Sequence, residues 1–178
     1  MSNYSRRLAV PLAATLLLLP ARHAGAQTPE PEANMVAAVI ASFAQPGRRI
    51  FLAPGLELPA AAVNAGIRGR ARHNAKTLEH AQRRFGATIA YPEEVIECRD
   101  ASRPETCTIP GDGIVFYFVA PSTPMRNNIL PVRVILYHNG RGAGGQILRE
   151  AWDLLVRQGD QGWTVVQKRL YATANGPA

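Results

Sequence analysis

The residues of this chain that could act together in chemistry lie near its carboxy-terminal end. Glu150, Trp152, Arg169 and Tyr171 belong to two alternating apolar segments joined by a turn at 159–162. A two-residue turn at the centre of that range pairs Trp152 with Arg169 and Glu150 with Tyr171 on one side of a hairpin. The sequence therefore predicts one cluster of aromatic and ionisable side chains at the end of the hairpin away from its turn.

Three roles are open to this cluster. Glu150, if removed from water, could abstract a proton while Tyr171 or Arg169 stabilises the resulting oxyanion. The same four side chains could instead bind a ligand, which makes them candidate ligand-binding residues. They could also form a surface ladder in which the Arg169 cation rests on Trp152. The sequence does not decide whether the protein is an enzyme, and no catalytic residue is assigned.

The predicted register of this hairpin rests on the pairs that it makes elsewhere. The same turn places Val156 opposite Val165. On the other side of the hairpin it pairs Asp153 with Lys168, Leu155 with Val166 and Ala151 with Leu170. Apolar residues thus meet apolar ones and opposite charges meet, whereas a slip by one residue would put Arg157 opposite Val165.

The element order places this hairpin at the end of a meander. The segment 114–120 is a continuous apolar and aromatic run, which is typical of a strand buried on both faces. Three more segments, 130–137, 147–157 and 163–172, have the length and alternation of strands. We expect the carboxy-terminal half to form a meander of long antiparallel strands.

Two helices are predicted before the meander. Apolar residues from Met35 to Phe43 recur at three- and four-residue spacing, and Pro46-Gly47 ends that run. A second helix, with its small apolar positions running from Ala71 to Phe85, ends at Gly86. Its other side is basic and carries Arg70, Arg72, His73, Lys76, His80, Arg83 and Arg84.

The basic side of the second helix is interpreted as a solvated face. Aromatic residues do not alternate with these charges, so we do not expect nucleic acid as a partner; an anionic envelope surface remains the alternative. His73 and His80 have no carboxylate placed one turn away in a metal-binding pattern. The sequence predicts no metal site and no cofactor.

The first 26 residues predict an export signal. Arg6 and Arg7 precede an apolar stretch from Leu8 to Pro20, and Ala24-Gly25-Ala26 is a typical cleavage site. That stretch has about 13 residues where a spanning helix needs about 20, so an uncleaved anchor is the less favoured alternative. Cleavage would remove three arginines and no acid, which lowers the formal charge from +7 to +4. The adjacent arginines leave both the secretory and the twin-arginine route open.

The two cysteines, Cys98 and Cys107, predict a disulfide. An isolated pair so close in sequence, in an exported chain, is typical of a bond that closes a polar loop, and two free buried thiols are the alternative. No later segment is long and apolar enough to cross a bilayer, so no membrane span is expected after signal removal. The predicted location is periplasmic or secreted.

The order of these elements resembles the nuclear transport factor 2-like superfamily. The segments Ala151-Trp152-Asp153-Leu154-Leu155-Val156 and Gly162-Trp163-Thr164-Val165-Val166 look like the closing hairpin of that family. The resemblance implies an α+β fold in which two N-terminal helices pack on a curved, cone-like antiparallel sheet around a pocket. Members include isomerases, cyclases, dehydratases and non-catalytic binding domains. A cystatin-like domain or an unrelated α+β domain remains an alternative.

The sequence thus predicts a signal peptide (1–26), a short flexible lead (27–32), a single α+β domain (33–173) and a disordered tail (174–178). The predicted function is an exported, non-catalytic domain that binds a small apolar ligand or an envelope partner. The alternative is a cofactor-free lyase or isomerase of the nuclear transport factor 2-like type. The ligand and the oligomeric state do not follow from the sequence.

Overall fold

The fold is taken from a computed structural model, which describes residues 31–58, 71–100, 102–120, 125–140 and 146–175. The predicted signal peptide at 1–26 lies outside the described residues and stays a prediction. Most of the predicted lead and the end of the predicted tail, at 176–178, lie outside them as well.

Three α-helices occur in the described residues: α1 (Pro31–Phe43), α2 (Ala75–Phe85) and α3 (Pro92–Val95). α1 is helical from Pro31, the first described residue, so the helix includes the last two residues of the segment predicted as a flexible lead. α2 begins after Asn74, whose side-chain oxygen accepts a hydrogen bond from the Thr77 backbone N–H at 2.8 Å. It ends at the predicted Gly86, which has φ of 62°.

The strands of the described chain form one large sheet and two short ribbons. The large sheet has six strands in the order β10-β9-β8-β7-β1-β4, and the ribbons pair β2 with β3 and β5 with β6. The bounds are β1 Ile50–Leu52, β2 Gly55–Leu56, β3 Ala71–Arg72, β4 Thr88–Ile89, β5 Glu97–Cys98, β6 Cys107–Thr108, β7 Ile114–Phe118, β8 Ile129–Asn139, β9 Ile147–Gly159 and β10 Gly162–Asn175.

Both faces of the large sheet are covered near its middle. One face, called here the helix face, carries Leu52 and Phe116 and packs against α1, which contributes Val36, Val39 and Ile40. The opposite face is called the disulfide face, since a core that includes Cys107 packs there. Its buried residues come from the sheet and from the segment after β4: Phe51, Val95, Cys107, Ile109, Val115, Ile135, Tyr137, Ile147 and Ala151.

The predicted fold class is wrong, although the α+β composition is present. The four strands of the predicted meander occur as β7 to β10, but the sheet is mixed, because β1 pairs in parallel with both β7 and β4. The helices are not two N-terminal ones packed on a curved antiparallel sheet, since α3 follows β4 and α2 packs mainly against α1. The parallel pairs join segments far apart in the chain, which local periodicity does not reveal.

The predicted hairpin register is confirmed only next to the turn. Val165 lies opposite Val156 as expected, but the register then shifts between Val165 and Gln167 and again between Leu170 and Ala172. Each shift is a β-bulge, in which one strand has an extra residue. Because of these bulges, the five other predicted pairs are wrong: Asp153 with Lys168, Leu155 with Val166, Ala151 with Leu170, Trp152 with Arg169, and Glu150 with Tyr171.

The predicted disulfide between Cys98 and Cys107 is present. The two cysteines lie directly opposite each other in the β5–β6 ribbon. The loop between them is polar, and in it Asp100 accepts hydrogen bonds from the backbone N–H and the hydroxyl of Ser102 at 2.9 and 2.6 Å. Cys107 is buried against the disulfide face, so the bond fastens this loop to the core.

We expect loss of this bond to destabilise the protein. The double variant Cys98→Ala, Cys107→Ala should lower the free energy of unfolding by about 2 to 3 kcal/mol, because the unfolded chain is no longer constrained by a closed loop. Urea unfolding, followed by circular dichroism, measures the change. A reductant should destabilise the wild type and leave the double variant unaffected; equal stability of the oxidised and reduced wild type would contradict this account.

Candidate functional site

Three cavities border the large sheet in the described part of the chain. The apolar pocket lies on the helix face among α1, the β2–β3 ribbon and strands β7, β8 and β10, and has a volume of about 430 Å³. The Glu150 pocket, about 420 Å³, lies on the same face and includes Phe43, His138 and Glu150. The arginine groove, about 580 Å³, lies on the disulfide face of β8, β9 and β10 and includes Arg133, Arg149 and Arg169.

The apolar pocket has a mostly apolar lining, and at one side of it a carboxylate lies within hydrogen-bond distance of a buried imidazole. Glu32, in the first turn of α1, places its Oε1 2.7 Å from Nδ1 of His73, which follows β3. The other carboxylate oxygen, Oε2, accepts a hydrogen bond from Nδ2 of Asn74 at 2.8 Å. Asn74 also caps α2, so one residue fixes both the start of that helix and the orientation of the carboxylate.

The geometry assigns the tautomer of His73. A carboxylate oxygen accepts, so Nδ1 carries the proton and donates a hydrogen bond to Glu32, which leaves Nε2 as an acceptor in the neutral ring. Nε2 is buried and has no hydrogen-bond partner among the described residues. The ring meets the edge of Phe118 with 5.4 Å between centroids, which holds its plane. The site therefore contains an oriented imidazole with one free lone pair.

Burial controls the protonation of this ring. The side chain of His73 is only 2% exposed. Burial lowers the pKa of His73 below its ordinary value of 6.5, and the hydrogen bond and negative charge of Glu32 oppose this shift only in part. The imidazole is therefore neutral at pH 7, and its buried Nε2 carries an unprotonated lone pair.

The structure does not bring the four candidate residues of the sequence together. Glu150 and Trp152 lie on the helix face, where Trp152 Nε1 donates a hydrogen bond to Glu150 Oε2 at 2.9 Å. His138 Nε2 lies 3.4 Å from the same Oε2, in the Glu150 pocket. Glu150 therefore has two neighbours of its own, and neither is Arg169 or Tyr171.

Arg169 and Tyr171 lie on the disulfide face instead. The first bulge of β10 moves Arg169 opposite Asp153, whose Oδ2 it contacts at 3.2 Å. Tyr171 lines the arginine groove, where its ring centroid lies 4.1 Å from the guanidinium carbon of Arg133. Since the sheet separates them, Arg169 and Tyr171 cannot stabilise an oxyanion formed next to Glu150.

Glu32 and His73 are the residues that the sequence interpretation missed. It placed His73 on the solvated basic side of the second helix, but α2 starts two residues later and His73 is buried. A signal was present, because Asn74 is a favoured cap residue and a helix capped there excludes His73. The pairing with Glu32, 41 residues away, left no local signal.

No group of three or more histidine, cysteine, aspartate or glutamate side chains within the described part of the chain is placed to hold a metal ion. None of the helices in the same residues is long and apolar enough to span a membrane.

Comparisons with known proteins identify no relative of this chain. We found no match to this chain among protein-family models, curated proteins or solved structures. The resemblance to the nuclear transport factor 2-like superfamily therefore stays a prediction.

The lowered pKa of His73 predicts a pH dependence of stability. The unfolded chain binds a proton at pH values just below 6.5 while the folded chain does not, so the free energy of unfolding should fall as the pH is lowered below 6.5 and level off below the folded pKa. Urea unfolding at a series of pH values measures the slope. His73→Phe should reduce it.

His80 is the control for this experiment. Burial also lowers the pKa of His80, helped by the charges of Arg84 and Arg83, so His80→Phe should remove a share of the same slope. The more buried His73 should account for the larger share. An unchanged slope in His73→Phe would contradict the assignment of a neutral buried ring.

Proposed function

We propose that this protein is an exported, non-catalytic domain that binds a small, largely apolar molecule in the apolar pocket. The observation that carries the proposal is a largely apolar cavity lined by His73, whose Nε2 is oriented and has no hydrogen-bond partner among the described residues. The Cys98–Cys107 disulfide is consistent with the oxidising compartment that export would provide.

The lining of the pocket favours an apolar ligand. Nine of its twelve described lining residues are apolar, and they come from α1, β2, β7, β8, β10 and adjoining segments: Pro31, Met35, Leu56, Phe118, Val119, Met125, Leu130, Val132 and Trp163. A volume of about 430 Å³ suits one small molecule, since ligand pockets commonly enclose about 300 to 1,000 Å³. Burial of an apolar ligand against this lining provides the main driving force.

The polar part of the ligand follows from His73. A buried acceptor without a donor costs about 1 to 3 kcal/mol, and a ligand that supplies a donor recovers that energy. Since Nε2 is the acceptor of a neutral ring, the matching group is a hydrogen-bond donor, and a hydroxyl is the simplest one. We therefore infer an apolar molecule with one hydroxyl group, such as a phenol or an alcohol.

Access to Nε2 requires a small rearrangement. The atom is closed off from water in the free protein, so a ligand must displace a neighbouring side chain to reach it. Met35 and Met125 line the same pocket, and Met125 is exposed. Methionine is unbranched and changes rotamer at low cost, which makes these two side chains the adaptable part of the wall.

The hydroxyl requirement is tested with 4-butylphenol and butylbenzene, which differ by one hydroxyl group. In a Trp152→Phe background, Trp163 is the remaining tryptophan and reports on the pocket it lines. We expect 4-butylphenol to change Trp163 emission saturably and to bind about tenfold more tightly than butylbenzene, as one hydrogen bond of about 1.4 kcal/mol provides.

His73→Phe, in the same background, should make the two affinities equal. His80→Phe changes a histidine of α2 that does not line the pocket, and it should preserve the difference. Equal affinities in the protein that retains His73, or no saturable change at all, would contradict the proposal.

A second candidate function is proton transfer of the lyase or isomerase type. The observation that favours it is the Glu32–His73 pair, because a neutral imidazole held at Nδ1 by a carboxylate is an arrangement used by general bases. In this candidate, His73 Nε2 takes a proton from the carbon next to a carbonyl group, and the Arg72 guanidinium at the same pocket stabilises the enolate oxygen. Glu150 has no part in it.

Proton transfer is tested with 4-phenylbutan-2-one in deuterated water. If His73 acts as a base, the protein should accelerate exchange of the protons next to the carbonyl, which proton NMR measures as loss of their signals. His73→Gln should abolish the acceleration, and His80→Gln should retain it. A ketone that binds but exchanges only at the uncatalysed rate would eliminate this candidate and leave binding as the function.

A further inference from the structure

A second binding site is indicated on the opposite face of the sheet from the apolar pocket. The arginine groove, about 580 Å³, runs across the disulfide face of β8, β9 and β10 and shares Ile135 and Ala151 with the core around Cys107. Its floor is apolar and includes Ile135, Ala151 and Leu155, while one wall includes Leu58 and Val119. The groove therefore offers both apolar surface and charge.

The charges that line the groove do not balance. Among its described lining residues are three arginines and two carboxylates, which leaves one net positive charge: Arg133, Arg149, Arg169, Glu57 and Asp153. In a concave apolar surface such an excess attracts anions more strongly than it would on open surface.

Asp153 divides its carboxylate between two arginines. Its Oδ1 accepts a hydrogen bond from Arg133 Nε at 2.7 Å, and its Oδ2 lies 3.2 Å from Arg169 Nη2. The hydrogen bond from Arg133 is the main cause that lowers the pKa of Asp153, so this carboxylate stays ionised at neutral pH. The two guanidinium groups thus share a single negative charge.

Arg133 is held in place on two sides. Asp153 fixes its Nε, and the ring of Tyr171 lies against its guanidinium group at 4.1 Å. A guanidinium has five N–H donors, so contacts at Nε leave its terminal amino groups for a further acceptor. Arg149 is oriented in a similar way, because its Nε donates to the Tyr137 hydroxyl at 3.2 Å and its Nη2 lies 3.9 Å from Glu57.

We propose that the arginine groove binds an organic carboxylate with an apolar body. The carboxylate accepts hydrogen bonds from the oriented guanidinium of Arg133, a planar pairing that suits arginine, and Arg149 adds its positive charge. The apolar body lies over Ile135 and Ala151. The volume matches one small molecule and not a protein surface.

The test uses decanoate and its neutral counterpart decan-1-ol, measured by isothermal titration. Leu130→Trp serves as the background, because Leu130 lines the apolar pocket and a larger side chain there fills it without entering the groove. We expect decanoate to bind about tenfold more tightly than decan-1-ol, since only decanoate forms charge-assisted hydrogen bonds. The arginine Nε–H signals of Arg133 and Arg149 should shift in NMR spectra on addition of decanoate.

Substitutions test which arginines bind the carboxylate of decanoate. Arg133→Gln and Arg149→Gln should each weaken decanoate binding about tenfold, and Arg133→Lys should weaken it less, because lysine keeps the charge and loses the planar fork. Arg83→Gln is the matched control, since Arg83 lies exposed on α2 and pairs only with Glu79 among the described residues. Asp153→Asn should strengthen binding about threefold, because the competing carboxylate is removed.

Three results would overturn the proposal: equal affinity of Arg133→Gln and Arg83→Gln for decanoate, equal affinity of the parent for decanoate and decan-1-ol, or tighter binding of a tetraglutamate peptide than of decanoate. The last result would assign the groove to an acidic peptide. If the arginines only stabilise the fold, Asp153→Asn should not raise the affinity for decanoate.

Discussion

The burial of both faces of the parallel β1–β7 pair is the constraint on which the remaining structure depends. Leu52 and Phe116 point to the helix face and Phe51 and Val115 to the disulfide face, and all four are buried. A strand pair with two apolar faces needs a covering layer on each. α1 provides one layer, and the segment fastened by Cys107 provides the other.

Those two layers are short, and this limits where cavities can form. Each leaves part of the long strands β8 to β10 uncovered, although α1 also contacts β10. The uncovered parts of these strands form the floor of the apolar pocket on one face and of the arginine groove on the other. The two sites therefore share strands but are chemically distinct, because alternate residues of β8 and β9 point to opposite faces.

The part of the fold that local pattern determines could be predicted from the sequence. The run from Met35 to Phe43, the strands of the meander and the cysteine pair all depend on periodicity or short spacing, and each is present. The parallel pairing of β1 with β7 depends on contact between segments about 60 residues apart. A hint was available, since continuous apolar runs such as 50–53 and 114–120 are typical of parallel strands.

The candidate site could be predicted far less well. The hairpin register was correct at Val156 and Val165, where the turn dictates it, and wrong beyond the extra residues Val166 and Tyr171. An isolated sequence does not mark which residue a strand will leave unpaired, because bulges depend on packing against neighbouring elements. The Glu32–His73 contact likewise needs α1 and the chain after β3 to be placed first.

The same two bulges have a consequence for the outer margin of the sheet. β10 is an edge strand of 14 residues, mostly exposed, with unsatisfied backbone donors and acceptors that another polypeptide might otherwise join. The bulges at Val166 and Tyr171 divide this edge into short stretches that differ in register. Lys168 and Arg169 add charge between them. Two bulges and two charges along one exposed edge are features that disfavour pairing with a strand of another chain.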